Sequence, residues 1–330
     1  MAESQPIAEH GGLLARARAR FGEAEDWLDL STGINPWPYP VPEIPASAWQ
    51  RLPDEDALAA LKAAARAFYG AAPATPIVAA PGSQALIQLL PRLLPPGEVA
   101  VVGPCYGEHA RCWRRVGHAV SETSEVEAAT APVLVVVNPN NPDGRIRSRE
   151  SLIAAVRQRA ECRGLVVVDE AFAEAAPDAS LADAAGRPGL IVLRSFGKFF
   201  GLGGLRLGFA LGPGDLIEQI ETALGPWAVS GPAVAIGRTA FADLGWAAGT
   251  RARLAAGAAA LGAVLDRPGF TAIGGTDLFR LVRVEGAASV FERLARAHIL
   301  VRAFAAHPGW LRFGLPADEA ALARLDRALG

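Results

Sequence analysis

The chain has 330 residues, 51% of them hydrophobic, enough for about two domains with substantial cores. A formal net charge of −2 provides no basic field, which argues against nucleic acid and anionic membrane as partners. No stretch reaches the ~20 uninterrupted apolar residues of a membrane span, the N-terminus has no apolar signal core, and Cys105, Cys112 and Cys162 form no CxxC pair; a soluble cytoplasmic protein with reduced thiols and no metal site is expected.

Residues 1–45 read as an irregular arm. The Pro-rich run from Asn35 through Pro45 removes backbone donors and fixes φ, which suits an extended segment laid over other structure. Asp56 to Tyr69 is helical in pattern, with Leu58, Leu61, Ala65 and Phe68 on one face, Asp54 or Asp56 as cap and Gly70 as terminator. Then short runs rich in Val, Ile and Leu follow one another: 98–103, 133–138, 165–170, 190–196 and 206–211. Helical patterns such as 83–94 and 149–163 separate several of them. That alternation predicts a mainly parallel sheet covered by helices on both faces, an α/β large domain over 46–215. From 216 to 330 the character changes to a smaller α+β domain. Its predicted helices are 217–224, 233–265, 289–298 and 318–329, and its predicted strands are 278–284 and 311–313.

Ligands of open α/β sheets sit beyond the carboxyl ends of the strands, and the notable polar residues fall there. Run 133–138 leads to Asn141 in Asn-Asn-Pro-Asp-Gly, run 165–170 to Asp169 and Glu170, and run 190–196 to Ser195 and Lys198, followed by a Gly-rich turn to Arg206. Lys198 is one of only two lysines; the other, Lys62, lies on the amphipathic helix as an ordinary surface charge. Each residue type suits a pyridoxal 5'-phosphate (PLP) site. Lys198 can carry the cofactor as a Schiff base, and Asp169 can pair with the protonated ring nitrogen so that the ring remains an electron sink. Asn141 can donate to the ring's 3-oxygen, and Tyr106 can stack on the ring. Ser195 and Arg206 can hold the phosphate, with Ser83 and Gln84 adding backbone N–H groups at a helix start. Singly, these residues have plainer readings, since an Asn-Pro dipeptide is usually a turn.

The combination resembles the fold-type I, aspartate-aminotransferase-like PLP enzymes: Ser195, Lys198 and Arg206 match their Ser-x-x-Lys motif with an Arg eight residues on, preceded by Asn141–Gly144 and Asp169–Phe172. Within that family the chain is similar to the L-threonine-O-3-phosphate decarboxylase group, kin to the histidinol-phosphate aminotransferases. The resemblance rests on His10-Gly11-Gly12, on the segment from Asp29 to Pro36 with Gly33 and Ile34, and on Phe172 where the aminotransferases usually carry Tyr. It implies a fold-type I homodimer that decarboxylates a small phosphorylated amino acid for cobalamin synthesis, with a histidinol-phosphate-like aminotransferase as the alternative. It further implies that Arg312 pairs with the substrate carboxylate, that Arg302 and His10 meet its phosphate, and that Gly33 and Ile34 lie at the substrate. Two departures stand out. Leu52 replaces the Tyr that reaches the partner subunit's cofactor phosphate in the family, and the stretch from Arg302 to Arg312 is short for the group.

Overall fold

The computed structural model describes residues 10–330; the first nine residues of the expected arm lie outside the described residues. In chain order the strands are β1 (Leu28–Asp29), β2 (Ile77–Ala80), β3 (Glu98–Val102), β4 (Ala119–Thr123), β5 (Val133–Val137), β6 (Leu165–Asp169), β7 (Leu190–Ser195), β8 (Gly208–Leu211), β9 (Phe270–Thr276), β10 (Phe279–Val284), β11 (Ile299–Leu300), β12 (Arg302–Ala303) and β13 (Trp310–Gly314). The helices are α1 (Leu14–Phe21), α2 (Ala46–Gln50), α3 (Glu55–Tyr69), α4 (Ser83–Leu93), α5 (Glu108–Arg115), α6 (Arg149–Glu161), α7 (Phe196–Phe199), α8 (Gly214–Leu224), α9 (Gly231–Ala242), α10 (Leu244–Leu265), α11 (Ala287–Arg296) and α12 (Glu319–Leu329). Among the described residues no helix is long and apolar enough to cross a membrane.

The chain forms two compact units. The large one comprises 38–141 and 145–248; the small one comprises the described residues through Trp37 together with 142–144 and 249–330. These bounds differ from the sequence expectation of 1–45, 46–215 and 216–330. Residues 216–248 pack within the large unit because α8 sends Leu216, Ile217 and Ile220 into its core, and α9 packs on α3. The expected arm is divided at Trp37, since its first part is ordered by the small unit.

The large unit is built on a seven-stranded sheet in the order β2-β8-β7-β6-β5-β3-β4. Strands β4, β3, β5, β6 and β7 run parallel, and β8 runs antiparallel to β7 and β2. The strand alternation explains the continuous apolar runs. Val135, Val167, Ile191 and Leu193 face a core with Leu86, Leu90, Trp113 and Ile220, whereas Leu134, Val166, Val168 and Val192 face a second core with Leu152 and Val156. A strand buried on both faces has no polar side to show. Helix α3 starts where Asp54 Oδ1 accepts the Ala57 N–H (2.7 Å) and stops at Gly70 with φ 72°.

The small unit contains a four-stranded sheet, β12-β13-β10-β9, and a short parallel pair, β1 with β11. Helix α1 corrects the irregular reading of the N-terminal segment. Ala and Arg are both strong helix formers, and Ala17 packs with Trp27, Ala295 and Leu300. The single helical stretch expected over 233–265 is two helices, because Asp243 ends α9 and its Oδ1 accepts the Trp246 N–H at the start of α10 (2.9 Å).

Candidate active site

Parallel strands β5, β6 and β7 end side by side, and Asn141, Asp169, Ser195 and Lys198 lie at or just past their C-terminal ends, while Ser83 and Gln84 follow β2 and Tyr106 follows β3. Asp169 is the last residue of β6, 3% exposed, with Oδ1 accepting the Ala171 N–H (3.1 Å) and Oδ2 lying 2.8 Å from His109 Nε2. His109, itself buried, was not singled out from sequence; its signal was a His three residues past Tyr106, shortly after the run 98–103. Tyr106 meets the His109 ring edge-on at 6.2 Å, and its hydroxyl donates to Gln84 Oε1 (3.0 Å). The two contacts fix an aromatic ring and a carboxylate in one wall.

Lys198 lies on the single turn α7 that follows β7, with Nζ 6.0 Å from the Phe172 ring centroid. Ser195 closes β7 and is buried. Arg206 precedes β8 rather than beginning it, held in the left-handed region at φ 55°. Its guanidinium lies against Gly82, whose φ of 84° is in the left-handed region that favours glycine; a Cβ there would fall 2.5 Å from Arg206 Nη2 and displace the guanidinium. Gly208 in turn lies so close to the Ser83 backbone nitrogen that a Cβ would be 2.4 Å away. The N-terminus of α4 and the Arg206 guanidinium therefore form one anion-attracting corner, helix N–H groups beside a fork of donors. Asn141 sits at the end of a turn held by its neighbours. The Asn138 Oδ1 accepts the Arg147 N–H (2.8 Å), and Asn140 Nδ2 donates to the Pro104 carbonyl (2.9 Å).

The substrate-side candidates belong to the small unit, which gathers them. The Gly12 N–H donates to Ser31 Oγ (2.8 Å), and a Cβ on Gly11 would lie 2.4 Å from the Ser31 carbonyl oxygen. Thus the segment His10–Gly12 lies along the segment leading to Gly33 and Ile34. Arg312 Nη2 donates to that same Ser31 carbonyl (2.9 Å), its guanidinium stacks over Phe279 at 4.8 Å, and Arg302 is its register partner across β12 and β13. Burial, and then the charge of Arg302, push the Arg312 guanidinium down to about 9.

The profile of the family described as aminotransferase class I and II matches residues 39–329. The chain belongs to this aminotransferase family. Among its members, the threonine-phosphate decarboxylase of Pseudomonas aeruginosa is 48% identical over 328 residues, covering 98% of this chain and 97% of that protein. The threonine-phosphate decarboxylase of a Sinorhizobium species is 46% identical over 335 residues, covering 99% and 98%. In fold, this member of the family resembles the histidinol-phosphate aminotransferase of Sinorhizobium meliloti solved with pyridoxal-5'-phosphate, with a TM-score of 0.82 at 20% identity over 96% of this chain and 93% of that one. The fold-type I architecture expected from the sequence is the one observed.

Proposed function

We propose that this chain is a PLP-dependent L-threonine-O-3-phosphate decarboxylase, forming (R)-1-amino-2-propanol O-2-phosphate for the cobalamin nucleotide loop. The observation that carries the reading is 46–48% identity over nearly the full length to two threonine-phosphate decarboxylases. The residues present fit the cofactor: an amine and a buried carboxylate follow the ends of adjacent strands β7 and β6, and an anion-attracting helix corner lies against the start of β8. When bound, PLP supplies an electron sink for the bond broken at the substrate α-carbon.

The roles of the chain's own residues follow. Lys198 Nζ carries the cofactor and then returns a proton to the α-carbon. Asp169, held by the Ala171 N–H and by His109, keeps a carboxylate for the ring nitrogen. Tyr106, braced by Gln84, offers a flat face for the ring, and Asn141 an amide for its 3-oxygen. Phe172 presents no hydroxyl there. Ser195, Arg206 and the N–H groups of Ser83 and Gln84 serve the phosphate. On the substrate side, Arg312 pairs with the carboxylate and Arg302, with His10, the phosphate, while Gly33 and Ile34 line the backbone beside them. Two neighbouring cations favour a doubly anionic substrate, because its charge relieves their repulsion. The carboxylate leaves as apolar CO2, so Arg312 acts mainly in substrate binding.

The large unit leaves Trp49, Leu52, Trp227 and Leu244 exposed, at 59–69%, apolar surface of the kind that interfaces cover. A homodimer in the cytoplasm is the proposed state, and sedimentation of an active monomer would exclude it. The decisive assay incubates pure protein with PLP and phosphothreonine and follows CO2 against keto acid. CO2 release is expected. Amino transfer from glutamate to imidazole-acetol phosphate without CO2 would replace this reading with the histidinol-phosphate-like aminotransferase.

A further inference from the structure

Asp169 is followed, and Ser195 preceded, by a buried charge. Arg194 is 3% exposed, and Glu170 and Glu174 are 0% and 1% exposed. Arg194 Nη1 donates to Glu170 Oε2 and to Ser180 Oγ (3.1 Å), and Nη2 lies 3.3 Å from Glu174 Oε1. Both oxygens of Glu170 are engaged. Oε2 also accepts the Ser180 hydroxyl (2.6 Å), and Oε1 accepts the Leu181 N–H (2.5 Å). The Arg194 guanidinium lies over the Tyr69 ring at 4.2 Å.

A buried ion pair is an expensive way to hold a core together, since apolar residues of similar volume often serve as well or better. Its location suggests what the cost secures. The parallel ladder between β6 and β7 has its last rung at Asp169 and Leu193, and one further bond runs from the Glu170 N–H to the Leu193 carbonyl (2.9 Å). Past that point the chains diverge, one through Glu170 to Phe172, the other through Ser195 into α7 with Lys198. The ion pair bridges the two diverging chains just beyond the last rung. It is directional and hydrogen-bonded at every oxygen of Glu170, whereas an apolar contact would permit sliding by fractions of an ångström.

We propose that Arg194 and Glu170 are positioning residues that hold the diverging ends of β6 and β7 together and so fix Asp169 relative to Lys198. The proposal rests on the cofactor reading above, and neither residue touches substrate or cofactor. The test uses the PLP-loaded protein and three variants: Glu170→Gln, which keeps size and hydrogen-bond acceptor; Arg194→Met, which removes the cation; and Glu174→Gln, which leaves the Arg194–Glu170 bridge in place. Visible absorbance of the bound cofactor is titrated with pH, and kcat and KM are measured with phosphothreonine. For Glu170→Gln and Arg194→Met the pH midpoint of the band should move and kcat should fall roughly 10- to 100-fold, with KM little changed, the scale of a misplacement of about 1 Å. Glu174→Gln should leave the midpoint in place. If Arg194→Met does not fold, Glu170→Gln decides. A wild-type midpoint and kcat in Glu170→Gln, or an equal shift in Glu174→Gln, overturns the positioning role while the wild-type band upholds the cofactor. A wild type that takes up no PLP refutes the cofactor reading and the positioning role together.

Discussion

The large unit buries Arg159 and Arg194 and the small unit buries Arg312, and Arg194 and Arg312 sit in opposite electrostatic company. In the large unit, burial alone would lower Arg194, but Glu174 and Glu170 carry it above its ordinary value. In the small unit, burial lowers Arg312 and the neighbouring Arg302 lowers it further. The first guanidinium is matched by charges from its own fold, and its work is internal. The second is set beside a like charge, so its environment favours an incoming anion. On the proposed reading, the first charge holds structure and the second meets the substrate.

Three measurements would break or sharpen this contrast. The largest effect is expected for stability in Arg194→Met. Removing the cation leaves Glu170 and Glu174 buried without the Arg194 charge, which should cost about 3–5 kcal/mol in urea unfolding. Arg312→Ala should cost about 1 kcal/mol, the worth of its hydrogen bond to Ser31. Equal losses in the two variants would erase the distinction.

Next in size are the losses of substrate binding. Arg302→Ala should weaken phosphothreonine by about 2–5 kcal/mol while sparing threonine, which lacks the phosphate. Arg312→Ala should weaken both, because both carry the carboxylate. CO2 release from the two substrates measures this, and equal sensitivity of both to Arg302→Ala would remove its phosphate role.

The smallest effect concerns pH. Burial, against the pull of Arg194, raises the Glu174 carboxyl from its ordinary 4.5 to about 7. Between those values the folded chain retains a proton that the unfolded chain has released. Stability from this group is therefore complete below about pH 4.5 and is lost as pH rises through 7, by up to about 3 kcal/mol. Glu174→Gln should flatten that slope and stabilise the protein at pH 8; an unchanged slope in urea melts across pH 5–8 would disprove the assignment.

The candidate site was drawn from sequence because several of its residues follow short apolar runs that the structure forms as adjacent strands. The central strands announced themselves since both faces are buried, which leaves no polar positions to interrupt the run. Of the strands overlooked, β2 is buried throughout but only four residues long, Ile-Val-Ala-Ala, whereas β4 and β9 lack that signature. β4 is an edge strand, Ala-Val-Ser-Glu-Thr, with no residue fully buried. β9 is half exposed and interrupted by Gly274 and Gly275, which pack closely on the backbones of Asp143 and Phe279. α1 was read as irregular because Ala alternating with Arg gives a weak apolar stripe, although both residues favour a helix.

The sequence by itself determined the alternation of strand and helix, the lysine available for a cofactor, and the order Asn141, Asp169, Ser195, Lys198, Arg206 along the chain. Each of those features is local, written in the few residues around it. Only the tertiary structure decided that His109 meets Asp169 across 60 positions of sequence, that Arg312 donates to a carbonyl 281 positions away, and that Arg194 has Glu170 and Glu174 for company. Hydrogen bonds and desolvated charges act over a few ångströms of space, and no pattern of neighbours along the chain specifies which distant residue will fill that space.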